Sequence, residues 1–436
     1  MNKIEIRNFG PVKMAEIDLN KHNQVFIGPQ ASGKSTICKV VYFCQKIRDY
    51  TVEFLIDTRQ ILENHKNEYY NVYLKFLTGK FMGCFGKTTH MRKFEIRYLF
   101  DGNSIEIRLN KDGYIRFTFS AELKQNIIRI INEVTITVLG RNQGISIVDS
   151  ISMMQLLKKQ IQIEVNDVFR NENEIIYIPA GRSLLASMSD ILGEISLTNM
   201  DLTMLEFINL IRTTRNKFGT KLPEMVKDYT KTVKGQIDNN SVKLANNLIH
   251  EILKADYTSE IDGEKVYYDD YHWVKLMYAS SGQQEVLWIL MLAFSVILER
   301  KQVFMVIEEP EAHLFPTAQK DVINLIALMV NSTNSRVIIT THSPYILTSL
   351  NILLYSNKVE SILKKTKGYE SIIPKNYRIS YRDFAAFRLG NSWKDGKEME
   401  SLMDEESNMI RTEYIDEVSD ITNIEMEKLL EMEFDE

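Results

Sequence analysis

Between an apolar run, Asn23 to Ile27, and a stretch where Ile37, Val40, Val41 and Cys44 recur at helical spacing, the chain carries Gly28-Pro29-Gln30-Ala31-Ser32-Gly33-Lys34-Ser35. This is the G-x-x-x-x-G-K-[ST] loop in the strand–loop–helix setting that gives it meaning. The glycines let the backbone turn so that its N–H groups point inward. Those groups and the following helix N-terminus together hold anionic phosphates. A chain with this unit is constrained to an α/β fold, with a buried strand delivering the loop and a helix leaving it. Gly28, Pro29, Gln30, Ala31, Ser32, Gly33, Lys34, Ser35 and Thr36 form the expected phosphate site. Lys34 is expected at the β- and γ-phosphates, the Ser35 hydroxyl on Mg²⁺, and Thr36 close to the α-phosphate.

The rest of the chain fits such a core. Ile4 and Ile6 alternate with Lys3, Glu5 and Arg7, and Met14 to Leu19 alternates again. Three further alternating runs, Phe94–Tyr98, Ser104–Leu109 and Tyr114–Phe119, are separated by Asp101-Gly102 and Asp112-Gly113. They predict a β-meander that extends the first strands. Ser35 to Arg48 predicts a helix, and residues 49 to 81 a polar helical stretch. From Ala121 to Tyr257 the pattern is mainly helical, broken by a strand at Glu174–Ile178 that closes in Pro179-Ala180-Gly181-Arg182. Asp262-Gly263 marks a hairpin. Residues 280 to 357 alternate helix and strand in apolar runs, as a parallel core does. This divides the chain into an N-terminal lobe with phosphate loop and meander (1–120), a mainly helical insertion (121–274), a C-terminal lobe (275–375) and an acidic helical extension (376–436).

Composition excludes little. With 44 % hydrophobic and 25 % charged residues in 436, the chain is an ordinary folded protein. A formal charge of −5 gives no global basic signal for nucleic acid, though a local basic face could hide in the average. Three cysteines, Cys38, Cys44 and Cys84, suit neither a disulfide framework nor a zinc knuckle and are expected to be reduced thiols of a cytoplasmic protein. The N-terminus has no apolar leader. The most apolar run, Val286 to Leu298, falls short of the ~18 residues that span a bilayer and predicts a buried core helix, so no membrane contact is expected.

Three more segments carry chemistry. Val303–Ile307 is a continuous apolar strand ending in Glu308-Glu309-Pro310-Glu311. Two carboxylates at a strand end divide labour: Glu308 in the Mg²⁺ shell, Glu309 orienting and polarising an attacking water. An acidic surface turn is the bland alternative. Arg336–Thr341 is a second such strand, and places His342 where it could contact the γ-phosphate or the water. Ser280-Ser281-Gly282-Gln283-Gln284-Glu285 opens the long apolar helix. It reads as a serine N-cap with Glu285 following, and also as a second phosphate-binding helix end through Ser281 and Gly282. Since the phosphate loop already fills that role in its own chain, a second such end suggests a second copy.

With these elements in order, the sequence resembles the ABC/SMC ATPase superfamily. It is most similar to bacterial AAA-labelled ATPases related to the OLD family and to ATPase subunits of phage-defence systems. The resemblance covers about 1–50 and 275–350 plus the strand ending at Arg182. Glu308-Glu309-Pro310-Glu311-Ala312-His313-Leu314-Phe315-Pro316 resembles the branch's extended Walker B and D-loop, with Phe315 where histidine is frequent. Ser280-Ser281-Gly282-Gln283-Gln284 resembles the signature LSGGQ, with Ser280 for leucine and Gln283 for the second glycine. Thr340-Thr341-His342-Ser343-Pro344 resembles the switch-histidine motif. No glutamine stands in a convincing Q-loop position.

The resemblance implies an ABC-type P-loop head with an N-terminal β-meander and a helical insertion, using ATP and Mg²⁺. It implies a homodimer, or a higher even oligomer, with ATP held between Lys34 of one copy and Ser281 of the other. Arg182 stays open between a place near the nucleotide, the base of the insertion and a salt-bridged surface. For output, the resemblance implies a defence ATPase that controls a separately encoded nuclease or toxin. Only about ninety residues follow His342, too few for the nuclease domain fused in OLD-type proteins. The alternative is a DNA-binding repair or recombination head of the SMC or RecF kind, with basic residues drawn from Arg92, Lys93, Arg97, Lys158 and Lys159. A transporter ATPase and a non-hydrolytic binding module fit less well.

Overall fold

A computed structural model of the protein describes residues 2–57, 69–88, 90–91, 93–110, 112–139, 147–187, 200–232, 237–362, 372–390, 399–412 and 423–427. Arg92, part of the helical stretch expected after 49, and much of the acidic tail lie outside the described residues.

The first two strands, β1 (Asn2–Phe9) and β2 (Val12–Asp18), form a hairpin; β3 (Asn23–Ile27) follows and enters a different sheet. The phosphate loop leads from β3 into α1 (Lys34–Ile56), which is longer than the Ser35–Arg48 helix expected, and then α2 (Tyr69–Phe85). The meander is β4 (Glu95–Phe100), β5 (Asn103–Leu109) and β6 (Ile115–Phe119). It joins the hairpin in an antiparallel sheet ordered β2-β1-β4-β5-β6. Ile4, Ile6, Ile96, Ile105 and Ile107 are buried on one face, against α1 and α2. The opposite face is a ladder of mixed charge. Glu5 sits 2.8 Å from Lys3 and 3.4 Å from Arg97, and Arg108 lies 2.5 Å from Glu95 and also contacts Glu106.

Next come α3 (Ala121–Leu139), α4 (Ile147–Phe169), β7 (Glu174–Ile178), α5 (Ser183–Ser187), α6 (Leu202–Thr214), α7 (Leu222–Thr232) and α8 (Asn239–Leu253). A small antiparallel sheet of β8 (Asp256–Glu260), β9 (Gly263–Tyr267) and β10 (Trp273–Lys275) leads to α9 (Ser281–Glu299). Then β11 (Val303–Glu308), α10 (Pro316–Thr333), β12 (Arg336–Thr341) and α11 (Pro344–Ile362) alternate as the apolar pattern requires.

The central sheet runs β14-β13-β3-β12-β11-β7, parallel from β13 to β7. Every residue of β3 and β11 is buried, the mark of a sheet covered on both faces. α1 packs on one face; α8, α9, α10 and α11 cover the other. Residues Val286 to Leu298 of α9 are all buried. This helix is long and apolar enough to cross a membrane, but 83 % of that stretch lies inside the protein.

The region after 376 departs from the helical extension expected. It contributes strands: β13 (Phe384–Arg388), β14 (Glu400–Ser401), and the short pair β15 (Met403–Asp404) and β16 (Met409–Ile410). β13 lies parallel beside β3, with Arg388 opposite Ile27 and the Phe387 ring stacked on Phe26 at 5.6 Å. The run is only four apolar residues, Phe384 to Phe387, too short to show a period, and its partner is some 360 positions upstream in the chain.

Candidate functional site

Five parallel strands deliver their carboxyl ends to one edge of the central sheet, where ligands bind in open α/β folds. β3 runs into Gly28, β7 into Pro179, β11 into Glu309, β12 into His342 and β13 into Leu389. The register sets Glu308 opposite Thr340, and Ile27 opposite Thr341, so phosphate loop, acidic pair and histidine share that edge.

In the loop, Pro29, Gln30, Ala31 and Ser35 are exposed, while Ser32 and Lys34 are buried. Gly33 caps α1 at φ +96° with no side-chain cap, leaving the first-turn N–H groups to a ligand. Lys34 Nζ donates to the carbonyls of Gly28 (2.8 Å) and Pro29 (3.0 Å), bridging the loop mouth. Burial pulls the Lys34 ammonium below its usual range, opposed by the carboxylates of Glu309, Glu308 and Glu311. Gly28 meets a constraint invisible in its motif. A Cβ there would stand 2.3 Å from the Leu389 carbonyl, because Leu389 N donates to Ile27 O at 2.7 Å. The loop's first glycine therefore also admits β13.

Glu308 is buried, with Oε2 accepting from Ala180 N at 3.4 Å and Oε1 left without a hydrogen-bond partner. A buried carboxylate oxygen in that state is costly unless a cation offsets it. Among the described residues no group of three or more His, Cys, Asp or Glu could hold a metal alone. One buried carboxylate plus the exposed Ser35 hydroxyl fits a cation that completes its shell with phosphate oxygens and water, as Mg²⁺ does.

Glu309 stands in the left-handed region at φ +45°. Its N–H donates to Thr340 O (3.0 Å) and Oγ1 (3.3 Å), and its half-exposed carboxylate lies 3.5 Å from His342 Nε2. Glu311 fixes the backbone on which that histidine stands. Its Oε1 accepts from Thr341 Oγ1 (2.7 Å) and His342 N (2.8 Å). Burial raises the Glu311 carboxyl above its usual value.

Arg182 is fully buried, which removes the surface reading; its guanidinium donates to the carbonyls of Pro179, Glu285, Glu308 and Glu309. Only its position after a strand hinted at this.

At the start of α9, Ser280 is the N-cap and its capping-box partner is Gln283, not Glu285. Glu285 is buried against Arg182 instead. Ser281 is exposed, and Gly282 backs onto the turn after Glu309: a Cβ on it would lie 2.8 Å from His313 O. Gly282→Ala is therefore expected to destabilise. Removing a helix glycine gains about 0.5–1 kcal/mol. Overpacking against backbone costs about 1–3 kcal/mol and should win. A urea midpoint equal to or above wild type would contradict this.

Residues 1–347 match the family model described as AAA ATPase domain. No curated protein matches the chain significantly. Among solved structures, the chain is similar to an SMC head crystallised with the C-terminal winged-helix domain of ScpA. That match has 13 % identity, covers 93 % of this chain and 98 % of that one, and has a TM-score of 0.40. The SMC head domain from Thermotoga maritima matches at 11 % identity, over 80 % and 90 %, with a TM-score of 0.34.

Proposed function

The chain belongs to the AAA ATPase domain family, and from that premise we propose that it is an ATP-hydrolysing switch. Two copies close head to head around two ATP–Mg²⁺ and so control a separately encoded effector in cytoplasmic anti-phage defence. The observation that carries the reading is the convergence of Lys34, Glu308 and the Glu309–His342 pair on one strand edge.

In this reading the phosphate-loop N–H groups and Lys34 hold the β- and γ-phosphates. Ser35 and Glu308 would hold Mg²⁺, which when bound neutralises charge on the phosphate oxygens. Glu309 accepts a proton as water attacks the γ-phosphorus, the bond to the β,γ-bridging oxygen breaks, and ADP and phosphate leave. His342 steadies the water or the γ-phosphate. α1 and α9 pack on opposite faces of the sheet, and α9 begins at exposed Ser281. That free helix end supports a contact to the nucleotide of a second copy. ATP then favours the closed pair, and hydrolysis releases it.

The alternative DNA-binding reading finds less support. Arg97 is met by Glu5, the neighbouring Arg108 by Glu95 and Glu106, and Lys93 stands before β4 while Lys158 and Lys159 belong to a different element, α4. Turnover and duplex-DNA binding, measured across salt concentrations on the purified chain, test the choice. Expected are Mg²⁺-dependent hydrolysis and DNA binding no tighter than the non-specific ~10⁻⁴–10⁻⁶ M range. Nanomolar binding with a steep salt slope would move the assignment to the DNA-binding reading.

A further inference from the structure

We propose that Arg182 is a positioning residue, a strut that couples the signature end of α9 to the backbone of Glu309 and so links the two nucleotides of a closed pair. The proposal rests on the switch reading above and deepens it.

The strut is drawn from bonds on both sides. Toward α9, Arg182 Nε donates to Glu285 O at 2.7 Å and lies 3.4 Å from Glu285 Oε2. The Glu285 carboxylate in turn accepts the backbone N–H groups of Arg182 (3.0 Å) and Ser183 (3.1 Å), fastening the start of α5 to the first turns of α9. Toward the acidic turn, Nη1 donates to Pro179 O (2.7 Å) and Glu308 O (2.6 Å), and Nη2 to Glu309 O (2.9 Å). Arg182 and Glu285 are both buried, so water cannot take over these bonds.

The geometry is functional in its placement. Glu309 is a non-glycine residue held at φ +45°, a conformation that persists only where its surroundings over-determine it. Thr340 holds its N–H from one side and Arg182 its carbonyl from the other. Glu285 stands four residues after Ser281, one helical turn along the same face. A shift of the Ser281 turn is therefore passed through Glu285 and the rigid guanidinium to the residue that would activate water. In a head-to-head pair Ser281 touches the partner's nucleotide, whereas Glu309 acts on its own. Each site would thus sense whether the other is filled. A lysine cannot reproduce this, because its ammonium is a point donor on a flexible stem and lacks the planar fork that reaches several carbonyls at once.

The test is Arg182→Lys in the full chain, with ATP affinity, turnover and the ATP dependence of turnover measured together. Expected are a kcat lowered ten- to a hundredfold, an ATP Kd within threefold of wild type, and a Hill coefficient that falls from above 1 to 1. A kcat within twofold with unchanged cooperativity overturns the strut. So does an ATP affinity lost in step with kcat, which would make Arg182 a nucleotide contact. Should Arg182→Lys fail to fold, Glu285→Gln, which weakens the same strut from the α9 side, must show the same split; wild-type kinetics there overturn it equally. A wild-type chain that hydrolyses ATP cooperatively while both variants match it overturns the strut alone. One that does not hydrolyse ATP overturns the switch reading and the strut with it.

Discussion

Glu309→Gln should lower ATP turnover by about 10²- to 10⁴-fold, the range a positioned general base contributes, and should leave the chain as a stable ATP-bound pair. Glutamine keeps the size of the side chain but cannot take the proton of the attacking water. The backbone that presents it stays anchored by Thr340 and Arg182, neither of which touches the carboxylate. Lys34, Ser281 and Gly282 are untouched, so the contacts that would favour the closed pair persist while the step that ends it is gone. Phosphate release measured beside sedimentation velocity, with and without ATP–Mg²⁺, checks both halves. Turnover within threefold of wild type would remove Glu309 from the role of base.

Ser281→Arg should be comparably severe by a different route. Ser281 is exposed at the first position of α9, beyond the buried stretch and outside the capping box made by Ser280 and Gln283. A surface change of that kind usually alters stability by no more than about 0.5 kcal/mol. The long side chain would stand where the partner's γ-phosphate must approach the helix end. ATP binding to the isolated copy, which depends on Gly28 to Thr36, should stay within about threefold. Turnover should drop about a hundredfold or more, in the range lost when one positioned oxyanion donor is removed. Equal losses of ATP affinity and turnover would instead place Ser281 in its own chain's site.

The parts of the site legible in the sequence were those whose chemistry is local. The phosphate loop announces itself in eight consecutive residues, and β11 in a five-residue apolar run followed by Glu308. The parts that stayed hidden depend on distant partners. Arg182 and Glu285 are about a hundred positions apart, and nothing in either neighbourhood says that they meet. Glu311 looked like one more acid of an acidic turn until Thr341 and His342 were brought to it. The capping serine was legible, and its partner follows from it. A capping box takes the third helical residue, which is Gln283 once Ser280 is the cap, and Glu285, two positions on, is drawn inward against Arg182. β13 was missed for a similar reason. A short run beside an acidic tail has weak periodicity of its own, and its strand character comes from β3 and from the space Gly28 leaves for Leu389.

The central claim is that one triphosphate is gripped by two copies. Its most direct test mixes Lys34→Ala with Ser281→Arg protein and measures ATP turnover. Each variant alone should be nearly inert, since every site it forms carries the defect. In a mixed pair, one site joins an intact phosphate loop to an intact signature turn, so an equal mixture should recover up to about a quarter of wild-type turnover if pairing is random and symmetric. If the mixture shows neither turnover above the sum of the two variants nor ATP-dependent pairing of the two proteins, while both remain folded and able to exchange partners, the shared site does not exist.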